Sequence, residues 1–139
     1  MKADDITKKE VMAVICKFVE AYSKRDINNL LSIIAIDEDI TVFGLEPDEK
    51  CIGIDKIKSQ LERDWYQTNI SSIEFTWISI SSAGLLAWVA SEALMKIKAN
   101  GTSVILPSRI TSVLEKRDGK WLVVQAHFSV PEVNNCTFV

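Results

Sequence analysis

Trp88-Val89-Ala90-Ser91-Glu92-Ala93-Leu94-Met95-Lys96-Ile97-Lys98-Ala99-Asn100-Gly101-Thr102-Ser103-Val104-Ile105-Leu106-Pro107-Ser108-Arg109-Ile110 is two strand-like runs joined by Asn-Gly. Asn-Gly tolerates the positive φ angles of a two-residue hairpin turn, so the segment predicts an antiparallel hairpin. Such a turn pairs Ala99 with Thr102 and, counting back, sets Glu92 opposite Arg109. Opposite charges in that relation attract.

Two more turn signals lie outward of this hairpin, Ser82-Ala83-Gly84 and Arg117-Asp118-Gly119-Lys120. They predict an antiparallel meander of four strands near 71–81, 85–98, 103–116 and 120–130. In the first strand the apolar phase passes from Ile73, Phe75 and Trp77 to Ile78 and Ile80, which predicts a bulge that bends the sheet. Two readings of the last turn are open. A three-residue turn with a glycine bulge pairs Lys116 with Lys120 and sets His127 opposite Arg109, whereas a two-residue Asp-Gly turn sends His127 to the other face.

With the three-residue turn, one face carries Trp88, Glu92, Arg109, Thr111, Val113, Trp121, Gln125 and His127. The other carries Val89, Ser91, Ala93, Met95, Ser108, Ile110, Leu122, Val124, Ala126 and Phe128. The second set is small and apolar and suits packing against helices. The first mixes Trp, Arg, Gln and His, as subunit interfaces do. Self-association through that face, as a homodimer, is the expectation.

Upstream, Val11, Val14, Ile15, Phe18, Val19 and Tyr22 recur at helical spacing, with lysines and Glu20 between them. Thr7 and Glu10 form a capping-box pattern that predicts a start near residue 8. Asp26 is the N-cap candidate of a second, short helix through Leu30, Leu31 and Ile34. Ile40–Gly44 reads as a short strand and 45–50 as a solvated loop. Ile54, Ile57, Leu61 and Trp65 mark the stripe of a third helix.

At 139 residues, 47% of them hydrophobic, the chain is long enough to form one α+β domain over 1–139. A chain of this size buries about two-thirds of its unfolded surface and needs no disulfide or metal staple. Cys16, Cys51 and Cys136 are odd in number and lack C-x-x-C spacing, which fits a reducing, cytoplasmic setting. The acidic opening Met1-Lys2-Ala3-Asp4-Asp5 is unlike a signal peptide, and no apolar run spans a bilayer. A net charge of -3 with scattered basic residues excludes a nucleic-acid footprint. Neither nucleic acid nor membrane is an expected partner.

The order of elements, together with Arg109-Ile110-Thr111, Arg117-Asp118-Gly119-Lys120-Trp121 and His127-Phe128-Ser129-Val130-Pro131, resembles the SnoaL-like branch of the nuclear transport factor 2-like superfamily. The tail is also similar to the association domain of calcium/calmodulin-dependent protein kinase II. The resemblance covers nearly the whole chain. It implies a cone-shaped curved antiparallel sheet covered by N-terminal helices, a pocket between them, and homodimers through the outer sheet face. The implied ligand pocket takes its lining from Phe18, Tyr22, Phe43, Trp65, Ser91, Met95 and Phe128.

Fold alone leaves activity open, since this superfamily includes isomerases, hydrolases, cyclases and assembly modules. Where an epoxide-hydrolase-like comparison seeks an aspartate, this chain has Ala126. The positions matching the kinase domain's arginines hold Ala93, Ser112 and Phe128, so an apolar or neutral ligand fits better than an acidic one. A single histidine cannot build a multi-histidine metal site, and no glycine loop cradles phosphate, so neither metal nor cofactor is expected. The preferred reading is a dimeric small-molecule-binding or assembly module. The alternative is an isomerase or hydrolase of the ketosteroid-isomerase-like type, with Tyr22 as donor and Asp37 or Asp39 as the acid.

Overall fold

The computed structural model describes residues 1–67, 69–99 and 101–131. Helix α1 covers Asp5–Ser23 and α2 covers Ile27–Leu31. Strands β1, Thr41–Phe43, and β2, Lys50–Ile52, precede α3, Ile54–Gln67. Four long strands follow: β3, Asn69–Ala83; β4, Leu86–Ala99; β5, Thr102–Arg117; and β6, Lys120–Ser129. All six strands form one curved sheet in the order β2-β1-β6-β5-β4-β3, with the helices packed on it. Among the described residues no helix is long and apolar enough to cross a membrane.

Helix α1 begins earlier than the capping-box pattern implies. Its N-cap is Asp4, whose carboxylate accepts from the Thr7 backbone N–H at 2.7 Å. Glu10 is engaged elsewhere: its Oε2 accepts from Trp121 Nε1 at 2.7 Å and from Lys116 Nζ at 3.3 Å. A tertiary contact has taken the residue that a local motif would use. At α2 the Asp26 cap forms as expected, accepting from Asn29 N–H at 3.2 Å. Strand β2 was not expected within the 45–50 loop and its flank. It has three residues, too few for a period to show, and it pairs antiparallel to β1.

The meander follows the turn signals. Ala99 pairs with Thr102 and Glu92 with Arg109, while Asn100 of that turn lies outside the described residues, as does Cys136. In β3 the register shifts between Phe75 and Trp77, so Phe75 and Ile78 face the helices' side while Trp77 pairs with Glu92 on the opposite side. A second shift lies between Ile70 and Ser72.

The turn into β6 combines parts of both sequence readings. Arg117 pairs with Lys120 across a two-residue turn, with φ of 49° at Asp118 and 78° at Gly119, the left-handed pair that an Asp-Gly hairpin requires. A bulge inside β6, where Leu114 pairs with Val123 but Val113 pairs with Gln125, then reverses the phase. His127 therefore shares a face with Arg109, although its partner is Thr111 and Arg109 pairs with Ser129.

Residues before the bulge take the opposite phase from the one expected. Trp121 pairs with Lys116 and is buried at 6% exposure among Val11, Val89 and Leu114, so it belongs to the helix-facing core and not to the outer face. Leu122 correspondingly pairs with Glu115. Of the other expected inner residues, Val89, Ser91, Ala93, Met95, Ser108, Ile110 and Ala126 are buried, and Val124 and Phe128 are partly buried.

Candidate functional site

Between the helices and the concave side of the sheet lies a cavity of about 320 Å³. That is near the lower end of the roughly 300–1,000 Å³ usual for small-molecule sites. Most of its wall is hydrocarbon. Val14, Ile15 and Phe18 of α1 face Ile73, Met95, Ile110 and Phe128 of the sheet across it. Ser91 also lines it, but its hydroxyl donates to the Ile110 carbonyl at 2.8 Å and so is already used within the sheet.

Apart from Ser91 and Ser112 on the sheet, the polar side chains gather at one part of the lining: Tyr22, Glu46, Glu49, Gln60 and Asp64. Helix α3 places Gln60 and Asp64 one turn apart, next to the apolar Leu61. Gln60 Nε2 donates to Asp64 Oδ1 at 2.7 Å and to Glu49 Oε1 at 3.4 Å, joining two carboxylates through one neutral amide. The Tyr22 hydroxyl donates to Asp64 Oδ2 at 3.4 Å. Glu49 Oε2 accepts from the Glu46 backbone N–H at 3.2 Å. A Cβ added at Gly44 would fall 2.1 Å from Glu49 Oε2 and 2.7 Å from its Cβ, so the absence of a side chain at 44 is what lets Glu49 fold back here.

Burial pushes the Asp64 carboxyl above its ordinary 3.8, and the neighbouring Glu49 charge adds to the rise. Hydrogen bonds from Gln60 and Tyr22 and the nearby Arg63 oppose it. The Tyr22 phenol is likewise raised, first by burial and then by the Asp64 charge. Cys51, also in the lining, is buried and its thiol is pushed up, which disfavours the nucleophilic thiolate.

Of the pocket residues expected from sequence, Phe18, Tyr22, Ser91, Met95 and Phe128 line this cavity. Phe43 does not. Alternation along β1 sends Val42 inward opposite Ala126, while Phe43 pairs with His127 and their rings meet at 5.2 Å in a separate depression. Trp65 also stands outside the lining and packs edge-on against Tyr22, ring centroids 5.8 Å apart.

The expected acids are elsewhere too. Asp37 is gripped by Arg117 through two hydrogen bonds of 2.7 and 2.6 Å, and neither Asp37 nor Asp39 is among the lining residues. On the outer face, Arg109 and Glu92 lie 3.5 Å apart with side chains 60% and 50% exposed, and half-buried Trp88 is on the same face further along β4, paired with Val113. Among the described residues no group of three His, Cys, Asp or Glu side chains is placed to hold a metal ion.

Asp64, Gln60 and Glu49 are the site residues that sequence reading missed. The signal was present: Ile57, Gln60, Leu61, Asp64 and Trp65 follow the i, i+3, i+4, i+7, i+8 spacing of a single helix face. Two polar residues inside an apolar stripe mark a place where the stripe borders something other than core.

The model of the SnoaL-like domain matches residues 11–132. The chain belongs to the SnoaL-like domain family. Solved structures similar to this SnoaL-like chain have the same fold at low identity. A nuclear transport factor 2-like protein of unknown function from Pseudomonas putida shares 19% identity over 96% of this chain and 92% of its own, with a TM-score of 0.78. A candidate dehydratase of the nuclear transport factor 2-like family from Streptomyces avermitilis reaches a TM-score of 0.82 at 17% identity, covering 94% of this chain and 100% of its own. A candidate calcium/calmodulin dependent protein kinase II association domain from Xanthomonas campestris gives 0.78 at 20% identity, covering 90% and 88%. No curated protein matches the SnoaL-like chain.

Proposed function

We propose that this SnoaL-like protein binds a small, largely apolar molecule in the cavity between helices and sheet, with the ligand's one polar end at Tyr22, Gln60 and Asp64. The observation that carries the reading is the segregation of the lining: hydrocarbon over most of it, with the hydroxyls of Ser91 and Ser112 on the sheet, and the amide, phenol and carboxylates gathered at one part. Such a site holds a ligand by burial and orients it by a few polar contacts. Naphthylethanol, an apolar body with one hydroxyl, is a suitable probe in calorimetry. Binding that is lost in Ala126→Leu, which fills the cavity, while near-ultraviolet circular dichroism is unchanged, supports the proposal. Equal binding by that variant places the ligand elsewhere.

The protein acts as a homodimer through the outer sheet face in this reading. Exposed Trp77, Arg109 and His127 share that face with half-buried Trp88. Arg109→Ala weakens self-association in sedimentation experiments, and Tyr22→Phe does not. Unchanged association of the arginine variant would remove this face from the dimer.

One observation favours a second reading, an enzyme of the isomerase or hydrolase kind. Asp64 lines the cavity beside Tyr22 with a raised proton affinity, the placement a general base requires. One of the similar structures is described as a candidate dehydratase, and another as an association domain, so the neighbours span both readings. With an enolisable ketone or an epoxide as substrate, Asp64→Asn lowers turnover by about 10²-fold or more. Turnover at the parent rate would exclude Asp64 as the base.

A further inference from the structure

The charges around the cavity are one-sided. Glu46, Glu49 and Asp64 are in the lining, and among the described lining residues there is no lysine, arginine or histidine. The nearest cation on α3, Arg63, donates to Gln60 Oε1 and lies 3.8 Å from Asp48, with its side chain 44% exposed. Its hydrogen bond goes to the Gln60 amide, and its charge acts on Asp64 from nearby. Carboxylates facing an apolar cavity are costly unless an opposite charge joins them, and here the protein supplies neutral donors instead.

A second feature lies at the same part of the wall. The Tyr22 ring, which lines the cavity, sits 5.9 Å from Phe18 and 5.8 Å from Trp65, so the acids adjoin a cluster of aromatic faces. Aromatic faces attract cations through their quadrupole, most strongly where water is excluded. An aromatic wall with carboxylates and, among its described lining residues, no lysine, arginine or histidine suits an ammonium group. It suits a carboxylate or phosphate least.

We propose that the ligand of this cavity is an apolar amine, its hydrocarbon or aromatic body in the Met95 and Phe128 part of the cavity and its ammonium group between Glu49, Asp64 and the Tyr22 ring. The amine rests on the small-molecule reading above and narrows it to one head-group class. The ammonium donates to Asp64 and Glu49, replacing the long contacts that now reach them from Tyr22 and Gln60. Proton affinity raised by burial and by Glu49 is the state such a cation relieves.

The test uses three probes with one apolar body, naphthylethylamine, naphthylethanol and naphthylacetate, titrated calorimetrically into the full chain. The amine binds about tenfold tighter than the alcohol, as a charge-assisted hydrogen bond provides, and the acetate binds weakest. Asp64→Asn and, separately, Glu49→Gln each weaken the amine more than the alcohol, so that the amine's advantage falls. Either variant suffices if the other folds poorly by circular dichroism. Alcohol binding equal to or tighter than amine overturns the amine proposal and leaves the apolar-site reading standing. Failure of all three probes overturns both. An amine preference that persists in the double variant overturns the assignment to these two acids.

Discussion

The corner that carries Asp37 and the cavity wall that carries Asp64 are both acidic, and they differ in what faces the carboxylate. Asp37 meets a guanidinium head-on: Arg117 binds both of its oxygens, and the same arginine also donates to Glu115. Such a bidentate pair closes the corner chemically and ties the turn after α2 to the β5–β6 hairpin. Its carboxyl is held below the usual 3.8 by that hydrogen bonding. Among the described residues Asp64 accepts hydrogen bonds from an amide and a distant phenol and from no cation; a second carboxylate and Arg63 lie nearby, and burial pushes it the other way. A carboxylate bonded to a protein cation is part of the framework, and one without such a bond is open to a ligand. Glu10 falls in the first class, held by Trp121 and Lys116.

The largest effect expected of this contrast is at the Glu10 seam. Trp121→Ala removes a buried indole and the donor to Glu10, and costs about 3–5 kcal/mol of unfolding free energy in denaturant titration. A loss near zero would mean that the seam is not framework.

Next come paired substitutions with opposite signs. Asp37→Asn lowers the thermal midpoint at neutral pH. The lowered carboxyl contributes stability above 3.8 that is lost as pH falls through its folded value, so parent and variant converge in acid. Asp64→Asn raises the midpoint at neutral pH. A raised carboxyl favours the folded state below 3.8 and loses that contribution as pH rises through the folded value, so the variant's gain vanishes in acid. Thermal scans from pH 3 to 8, values chosen to bracket about 3.9 for a free aspartate, check both; equal signs for the two variants would break the contrast.

The smallest effect belongs to the outer face. Glu92 and Arg109 are paired but half exposed, so in the isolated chain Arg109→Ala changes stability by less than about 1 kcal/mol. A larger loss that depends on protein concentration would instead report the dimer.

The sheet was legible because its information is local: Asn100-Gly101 and Asp118-Gly119 dictate hairpins, and the apolar phase change at Phe75 and Trp77 announces a bulge. Trp121 was misplaced because the bulge in β6 has no such announcement; Leu122, Val123 and Val124 are all apolar, so the phase reversal leaves no trace in the pattern. Glu10 looked like half of a capping box, and only a contact across 111 positions of sequence shows why it is not. The site was half legible. Periodicity put Tyr22, Phe18 and Met95 on inward faces and the family resemblance made those faces a pocket, while Asp37 and Asp39 drew notice only by lying near a strand. Asp64 was written into the α3 stripe as a polar interruption, but Glu49 depends on the side-chain-free Gly44 beneath it, a tertiary relation with no spacing rule.

The most direct measurement is a carboxyl-carbon magnetic resonance titration of Asp64 and Asp37 in the unliganded protein. Asp64 is expected to titrate above 3.8 and Asp37 below it, with Asp64 moving down when naphthylethylamine is added. Asp64 titrating at or below 3.8 in the free protein would mean that its charge is already balanced, and the contrast between the two corners would fall with it.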